Sequence, residues 1–345
     1  MAVMDETGLA KKLDVITQRH PTVGLAVVVA GPGGGLLFRG HGVADHASGT
    51  PITEETGFRI ASISKTFTAI AVMQLVESGL VRLDRPANDY LRAFRLVPAR
   101  AGHRAATVRD LLTHTAGLGE LAHLSGLIRP DFGESVPAGT PLPSLAQFYG
   151  GRLHLKAEPG TCFTYGNQGP AVLGQLVEDV VGAPLDVVFR ERLFEPLGMH
   201  HSDLLRSEQV RARLASGYEP RSDGWRAVEE RDMITSVAAS VSSTPADMAR
   251  YMSALLGGGA NEHGRVLQPD TLAQMFAPQY RPDPRIPGMG LGFFRAEVSG
   301  HAVVEHQGVH PGFHSHLCLA PEKGVGVVVL TLSLIHISEP TRQLT

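Results

Sequence analysis

Strongly apolar, β-branched segments stand near both ends of the sequence, and helix-forming segments separate them. The first is TVGLAVVVAG at 22–31, and the last is GVGVVVLTL at 324–332. Each is typical of a buried strand, because valine packs well in sheets and neither segment carries a charge. GPGGG at 31–35 follows the first strand and predicts a hairpin into a second strand at 36–45. A sheet therefore opens and closes the chain.

The last third of the sequence indicates further strands joined by short turns. Strand-like stretches cover 288–298, 302–308 and 313–321, and PEKG at 321–324 has the composition of a hairpin turn. Strands joined by hairpins pair antiparallel. The sequence therefore predicts an α+β fold, in which an antiparallel sheet is flanked by helices and a mostly helical lobe is inserted.

Helical segments fill the middle of the chain. Residues 62–79 are apolar on nearly every side, which predicts a buried helix. Residues 166–182 predict a second helix ending at glycine, and 243–259 a third with proline in its first turn. TVRDLLTHTAGL at 107–118 predicts a further helix, with a threonine N-cap signal and a glycine stop. Residues 119–160 are rich in Pro, Gly and Ser and predict irregular covering loops.

Domain boundaries follow from this order of segments. We expect residues 1–331 to form one domain, with an α/β lobe at about 1–80 and 235–331 and a helical lobe at about 81–234. After the last strand the alternating pattern dissolves abruptly into LSLIHISEPTR. We therefore expect residues 332–345 to be a non-native tail.

Composition and charge exclude several classes of function. The net charge of −3 and the absence of a basic run give no reason to expect a nucleic-acid partner. No apolar segment approaches the 18 residues of a membrane span, and the N-terminus lacks the apolar core of a signal peptide. The sequence thus predicts a cytoplasmic protein without a membrane partner. Its two cysteines, Cys162 and Cys318, do not indicate a disulfide framework.

Ser62 and Lys65 form a Ser-x-x-Lys pattern at the start of the predicted buried helix. A helix N-terminus stabilises negative charge, and a lysine three residues on projects from the same face. Burial would lower the pKa of Lys65, so that its amine could manage the proton of a nucleophilic Ser62. The alternative is a capping serine and a solvated lysine, although the apolar helix leaves a solvated lysine little room.

Tyr165 and Asn167 lie in CFTYGNQG at 162–169, just before the second predicted helix. Both side chains can point into one cleft if this loop is extended. A neighbouring lysine would push Tyr165 toward the phenolate and make it a general base, and Asn167 could hold a substrate carbonyl and the lysine. The alternative is a packed tyrosine followed by an asparagine that caps the helix.

EHQGVHPGF at 305–313 supplies the third group of candidate residues. His306 could bind a carboxyl or carbonyl group of the substrate, or be an ordinary histidine. Gly308 would let a substrate backbone approach closely. The N–H groups of Val309 and Ser62 could together form an oxyanion hole.

Histidines also cluster at the end of the chain, which raises a metal site as an alternative. His314 and His316 would share a strand face, and His306 and His310 lie nearby in sequence. No group of carboxylates clusters with them, and the spacing fits no zinc motif. The predicted chemistry therefore uses neither a metal nor another cofactor.

The three motifs occur in an order that resembles a known family. Ser-x-x-Lys at 62–65, Tyr-x-Asn at 165–167 and His-x-Gly at 306–308 are similar to the motif set of the serine β-lactamase and penicillin-binding-protein superfamily. The likeness is greatest to the class C β-lactamases and their relatives, the family VIII esterases and D-aminopeptidases, and it covers roughly residues 10–331. The resemblance implies a β-lactamase/transpeptidase-like fold and an acyl-enzyme formed on Ser62.

Two departures from the family pattern bear on substrate and fold. His306 stands where true β-lactamases and transpeptidases usually carry the lysine of Lys-Thr-Gly, which favours the esterase and peptidase branch. Family members also usually close the sheet with a C-terminal helix, and we expect this helix to be missing here, in keeping with the predicted tail from residue 332.

The residues and the resemblance together predict a serine hydrolase. Its substrate would be a small ester, amide or short peptide, with a carboxylesterase as the first choice. A D-aminopeptidase, a D-alanyl carboxypeptidase or a weak β-lactamase is the alternative within the class. A non-catalytic relative that binds peptides is the alternative outside it.

Overall fold

The structure, a computed structural model, describes residues 6–33, 36–120 and 133–333. Its α-helices in these ranges are α1 (Glu6–Arg19), α2 (Ser64–Glu77), α3 (Val108–Leu112), α4 (Leu145–Phe148), α5 (Gln168–Val181), α6 (Leu185–Phe189), α7 (Glu208–Arg211), α8 (Pro245–Leu256) and α9 (Pro269–Phe276). Its strands are β1 (Gly24–Ala30), β2 (Leu36–Asp45), β3 (Thr50–Pro51), β4 (Phe58–Arg59), β5 (Arg95–Val97), β6 (Ser135–Pro137), β7 (Arg152–His154), β8 (Tyr218–Arg221), β9 (Gly224–Ala227), β10 (Arg231–Met233), β11 (Ser242–Ser243), β12 (Phe294–Val298), β13 (His301–His310), β14 (Phe313–Ala320) and β15 (Val325–Thr331).

The main sheet has seven strands in the order β12-β13-β14-β15-β1-β2-β3. Every neighbouring pair is antiparallel, so the predicted antiparallel sheet is confirmed. β1 pairs with β2 on one edge and with β15 on the other, which places the first and last strands side by side. All seven β1 residues are buried, as the uninterrupted apolar segment predicted.

Helix α2 is the buried helix that the sequence predicted. Most of its residues are inaccessible to solvent, including Lys65 and Phe67. Phe67 stacks on Tyr251 of α8 with ring centroids 4.1 Å apart, and α8 in turn packs across β1 and β15. A single turn of 3₁₀-helix, Ala61–Ile63, leads into α2, so Ser62 lies immediately before the helix.

Two predicted elements are shorter in the structure than in the sequence pattern. The segment 288–298 forms a strand only from Phe294, because Gly288 and Gly292 adopt positive φ values of 85° and 77°. A Cβ on Gly292 would lie 2.4 Å from Ala69 Cβ, so this turn packs directly against α2.

The helix predicted near residue 107 is the second of these elements. It carries a complete capping box between Thr107 and Asp110 but ends at Leu112. His114 then turns the chain with a φ of 57°.

Two residues of the predicted C-terminal tail, Leu332 and Ser333, lie in the described range. Leu332 continues the sheet, because its N–H donates to Gly24 O at 3.0 Å, and Ser333 contacts Thr22 with their hydroxyl oxygens 2.8 Å apart. The rest of the predicted tail lies outside the described residues, and the division into two lobes stays a prediction.

Across the described ranges, no helix is both long enough and apolar enough to cross a bilayer.

Candidate active site

Ser62 is half-buried in the 3₁₀ turn that starts α2. The preceding residue, Ala61, is fully buried and adopts a φ of 48°, a left-handed conformation that costs a non-glycine residue energy. Packing holds this turn in place: Ser315 of β14 donates its hydroxyl to Ile60 O at 2.7 Å. The serine is therefore presented on a turn whose strain the surrounding sheet supports.

Lys65 is 3% exposed, and its amine makes three polar contacts. Its Nζ lies 2.8 Å from Ser62 Oγ, 2.9 Å from Asn167 Oδ1 and 3.0 Å from Ala238 O. Burial lowers the pKa of Lys65 to about 7, although the charge of Glu134 acts in the opposite direction. The alternative of a solvated Lys65 is therefore wrong, and the predicted fall in the pKa of a buried Lys65 is confirmed.

Tyr165 lies against the same serine. Its hydroxyl shares a hydrogen bond with the Ser62 side chain, and the Lys65 amine stands 5.0 Å from its ring centroid. The prediction that lysine pushes Tyr165 toward the phenolate is wrong, because burial raises the pKa of Tyr165 to about 12 and outweighs the hydrogen bond. The phenol is therefore neutral at physiological pH.

Asn167 occupies the N-cap position of α5, yet its side chain caps nothing. Its amide instead bridges two ionisable side chains: Oδ1 accepts from Lys65, and Nδ2 donates to Glu134 Oε2 at 2.9 Å. The predicted contact with the lysine is confirmed, and the capping alternative is wrong.

His306 is 1% exposed, and burial, together with the nearby Lys65, lowers its pKa to about 3. Because the imidazole is neutral and its Nδ1 lies 2.7 Å from Gln307 O, the proton must be on Nδ1. Nε2 is then a buried acceptor that has no hydrogen-bond partner among the residues that the structure describes. Its ring centroid is 6.1 Å from that of Tyr165.

Gly308 allows β13 to pack against the turn that carries Ser62. A Cβ at this position would lie 2.4 Å from Ile60 O and 3.0 Å from Ala61 Cβ. The glycine is thus required by the protein's own backbone, whereas the sequence predicted room for a substrate. Val309 follows it with 62% of its surface exposed, and β12 pairs with β13 only as far as Glu305.

The four histidines of the metal alternative lie on opposite faces of the sheet. His306 and His310 share the buried face of β13. His314 and His316 pair with the odd-numbered residues of that strand, which point the other way. In the part of the chain that the structure describes, no group of three potential ligand side chains could hold a metal. The histidine metal site is therefore wrong.

Three contributors to the site were missed by the sequence analysis. Glu134 and the carbonyl of Ala238 come from segments without a motif, so no signal pointed to them. His114 lies in TVRDLLTHTAGL, where its position after a helix was the available signal. Its buried ring is 4.7 Å from the Tyr165 ring, centroid to centroid, and burial and Lys65 lower its pKa.

A protein-family model described as "Beta-lactamase" matches residues 9–335. The chain belongs to the β-lactamase family. It is a serine hydrolase of that family, with Ser62, Lys65 and Tyr165 brought together as described above.

Relatives in this family carry different activities in their names. Penicillin-binding protein 4 of Amycolatopsis lactamdurans is 30% identical over 95% of this chain and 85% of its own length. Esterase EstB of Burkholderia gladioli is 32% identical over 60% of this chain and 55% of its own length. The octameric penicillin-binding protein homologue of Pyrococcus abyssi has the same fold, with a TM-score of 0.79 and 24% identity over 96% of this chain and 74% of that one.

Proposed function

We propose that this protein is a carboxylesterase that hydrolyses neutral acyl esters through an acyl-enzyme on Ser62. The observation that carries the proposal is the 2.8 Å contact between Ser62 Oγ and Lys65 Nζ. A serine becomes a nucleophile when an adjacent group takes its proton, and Lys65 is that group here.

The contacts of Lys65 suit a neutral amine. A neutral amine has two N–H groups and one lone pair, and two of its three neighbours are carbonyl oxygens, Asn167 Oδ1 and Ala238 O. The charged form donates to all three oxygens. After the amine loses one proton, its two N–H groups donate to the two carbonyl oxygens, and the lone pair faces the Ser62 hydroxyl. With a pKa of about 7, a large fraction of Lys65 is in this form at neutral pH.

The reaction then proceeds in two balanced steps. Ser62 Oγ attacks the ester carbonyl carbon while its proton passes to Lys65, and the proton returns to the alkoxide that leaves. In the second step Lys65 takes a proton from water, and the hydroxide attacks the acyl carbon. The bond between that carbon and Ser62 Oγ then breaks, and the proton passes from Lys65 to Oγ. The neutral Tyr165 hydroxyl serves as a hydrogen-bond donor at the reacting oxygen.

We assign the negative charge of the tetrahedral intermediate to the N–H groups of Ser62 and Val309. Gly308 supports this assignment, because its missing side chain lets the β13 backbone lie against the Ser62 turn. Two backbone donors at such a site typically accelerate acyl transfer by a factor of about 10² to 10³ each.

His306 favours a neutral substrate. Its imidazole is uncharged, and the three contacts of Lys65 are already filled, so neither offers a cation to a substrate carboxylate. Peptides ending in D-alanine and β-lactams both carry such a carboxylate. D-aminopeptidase activity is the second candidate, because the Nε2 lone pair of His306 could accept a hydrogen bond from a substrate ammonium group.

Turnover of p-nitrophenyl butyrate by the protein and its Ser62→Ala variant tests the proposal. We expect the variant to lose turnover and labelling by a fluorophosphonate probe, while Ser78→Ala, at an exposed serine after α2, retains both. Labelling of Ser62→Ala would show that Ser62 is not the nucleophile. Absence of labelling in the native protein would favour the alternative of a non-catalytic relative.

A substrate panel separates the activities within the class. We expect rates to fall from p-nitrophenyl butyrate to D-alanine p-nitroanilide, and then to a D-alanyl-D-alanine peptide and a chromogenic cephalosporin. A carboxylate-bearing substrate as the best of the four would overturn the assignment to neutral esters.

A further inference from the structure

A buried carboxylate stands behind Asn167, away from the reacting serine. Glu134 is 3% exposed, and its two oxygens accept three hydrogen bonds. Oε2 accepts from Asn167 Nδ2 at 2.9 Å and from Thr235 Oγ1 at 3.3 Å, and Oε1 accepts from Gln168 Nε2. All three partners are donors, so the arrangement suits the ionised carboxylate.

The backbone holds this carboxylate in one place. Glu134 O accepts the N–H of Ile234 at 2.7 Å, and the next residue begins β6, which pairs with β10. Arg231 of β10 donates its Nε to Ser135 Oγ at 2.7 Å. Glu134 is therefore attached to a strand pair rather than to a free loop.

We infer that Glu134 is a positioning residue of the active site, which turns the oxygen of the Asn167 amide toward Lys65 and places a buried negative charge behind that amine. The inference rests on the proposed function, since it concerns the same Ser62 chemistry.

The orientation of the amide follows from its two ends. An asparagine amide has one acceptor oxygen and one donor nitrogen, and Glu134 can bind only the nitrogen. The oxygen must then face Lys65, where it accepts an N–H and leaves the amine lone pair for Ser62. Gln168 is oriented in the same way, because Tyr149 donates its hydroxyl to Gln168 Oε1 at 2.6 Å.

Among the described residues, Glu134 carries the only charge that faces the Lys65 amine. In the described ranges, the other titratable groups that face the amine are Tyr165, His114 and His306. The phenol is neutral, and both imidazoles have lowered pKa values and are also neutral at pH 7. Glu134 thus opposes the effect of burial and holds the pKa of Lys65 at about 7.

The rate of Ser62 labelling by a fluorophosphonate, measured from pH 5 to 9, tests the inference in the Glu134→Gln variant. The rate should rise with pH as Lys65 loses its proton. Without the negative charge the ammonium is less stable, so we expect the midpoint to move down by roughly one pH unit. The plateau should fall as well, because glutamine has one oxygen for the two amide N–H groups.

Asp247→Asn is the matched control. Asp247 is also a buried carboxylate, but its partners are Arg250, the His201 N–H and Ser202. We expect its midpoint to equal that of the native protein. An unchanged midpoint in Glu134→Gln would overturn the inference, because a purely structural role lowers the rate without moving the midpoint.

Glu134→Asp distinguishes the effect of the negative charge from the effect of the contact with Asn167. This variant also tests the inference if circular dichroism shows that Glu134→Gln does not fold. It keeps the charge but withdraws the carboxylate from Asn167. We expect the native midpoint with a plateau at least tenfold lower, and a native plateau would contradict the positioning role. Failure of the proposed function would look different, since the native protein itself would then not be labelled.

Discussion

Glu134 and Asp247 are two buried carboxylates that the same fold uses differently. Burial raises the pKa of each, so ionising either one costs free energy. Three hydrogen bonds offset this cost for Asp247, which lies in the first turn of α8. Its carboxylate accepts from His201 N and Ser202 Oγ at 2.8 Å each, and from Arg250 Nη1 at 2.7 Å. Helix N-termini favour negative charge, so this site stabilises the fold.

The counter-charges make the difference between the two sites. A guanidinium stays protonated at every physiological pH, so the charge opposite Asp247 does not change. The Lys65 amine, with its pKa of about 7, gains and loses a proton in the range where the protein works. A buried carboxylate therefore stabilises structure beside arginine, and it controls proton transfer beside a desolvated lysine.

Removing the amine should have the largest effect. We expect Lys65→Met to reduce fluorophosphonate labelling at pH 8 at least 1000-fold, about 4 kcal/mol of activation free energy, because Ser62 loses its base. Lys156→Met, at an exposed lysine, is the control and should be labelled at the native rate. Labelling of Lys65→Met within tenfold of native would show that another group takes the proton.

The same variant should change how stability depends on pH. Folding lowers the pKa of Lys65 from 10.5 to about 7, so between these values the unfolded chain binds more protons than the folded one. The free energy of unfolding should then rise with pH across this window, by up to roughly 1.4 kcal/mol per pH unit from this group. Urea unfolding at pH 7, 8 and 9 should show this contribution in the native protein and lack it in Lys65→Met.

The structural carboxylate should affect stability alone. We expect Asp247→Ala to lower the free energy of unfolding by about 2–3 kcal/mol, since it leaves His201 N–H and Ser202 without their acceptor and Arg250 without its partner. Asp270→Ala, at an exposed first-turn position of α9, should cost at most about 0.5 kcal/mol. If folded Asp247→Ala were labelled more slowly than the native protein, Asp247 would affect the chemistry at Ser62 as well, and the distinction between the two carboxylates would be wrong.

The smallest expected effect comes from trimming one donor of Glu134. Thr235→Val removes the 3.3 Å hydrogen bond to Oε2, and we expect a loss of about 1 kcal/mol in the free energy of unfolding. Thr331→Val also removes a buried threonine hydroxyl, which donates to the backbone carbonyl of Ser333 at 3.1 Å rather than to a carboxylate. A rise in the pKa of the Glu134 carboxyl should accompany the first change only, and infrared titration of the carboxyl band would detect it.

The sequence predicted those parts of the site that short motifs encode. Apolar strands, the buried helix and the Ser-x-x-Lys spacing are local patterns, and the structure contains them. The ring of Tyr165 and the amide of Asn167 also lie where the motif order implied.

The missing parts depend on contacts between distant segments. Glu134 lies in the Pro-, Gly- and Ser-rich stretch that predicted only irregular loops, and its role follows from pairing of β6 with β10, about a hundred residues later. The neutral state of Tyr165 was likewise beyond the sequence, because the sign of its pKa shift depends on how much water surrounds the ring.

The pairing of β1 with β15 has a consequence for biosynthesis. Nearly three hundred residues separate these neighbours, and the β1 edge has no partner until the ribosome has translated Val325–Thr331. β1 and β15 can therefore pair only late in folding. Their pairing closes a loop of nearly three hundred residues, and the entropic cost of closing that loop makes assembly slow. Until then the nascent chain presents an apolar valine edge, and we expect holdase chaperones to engage it during synthesis.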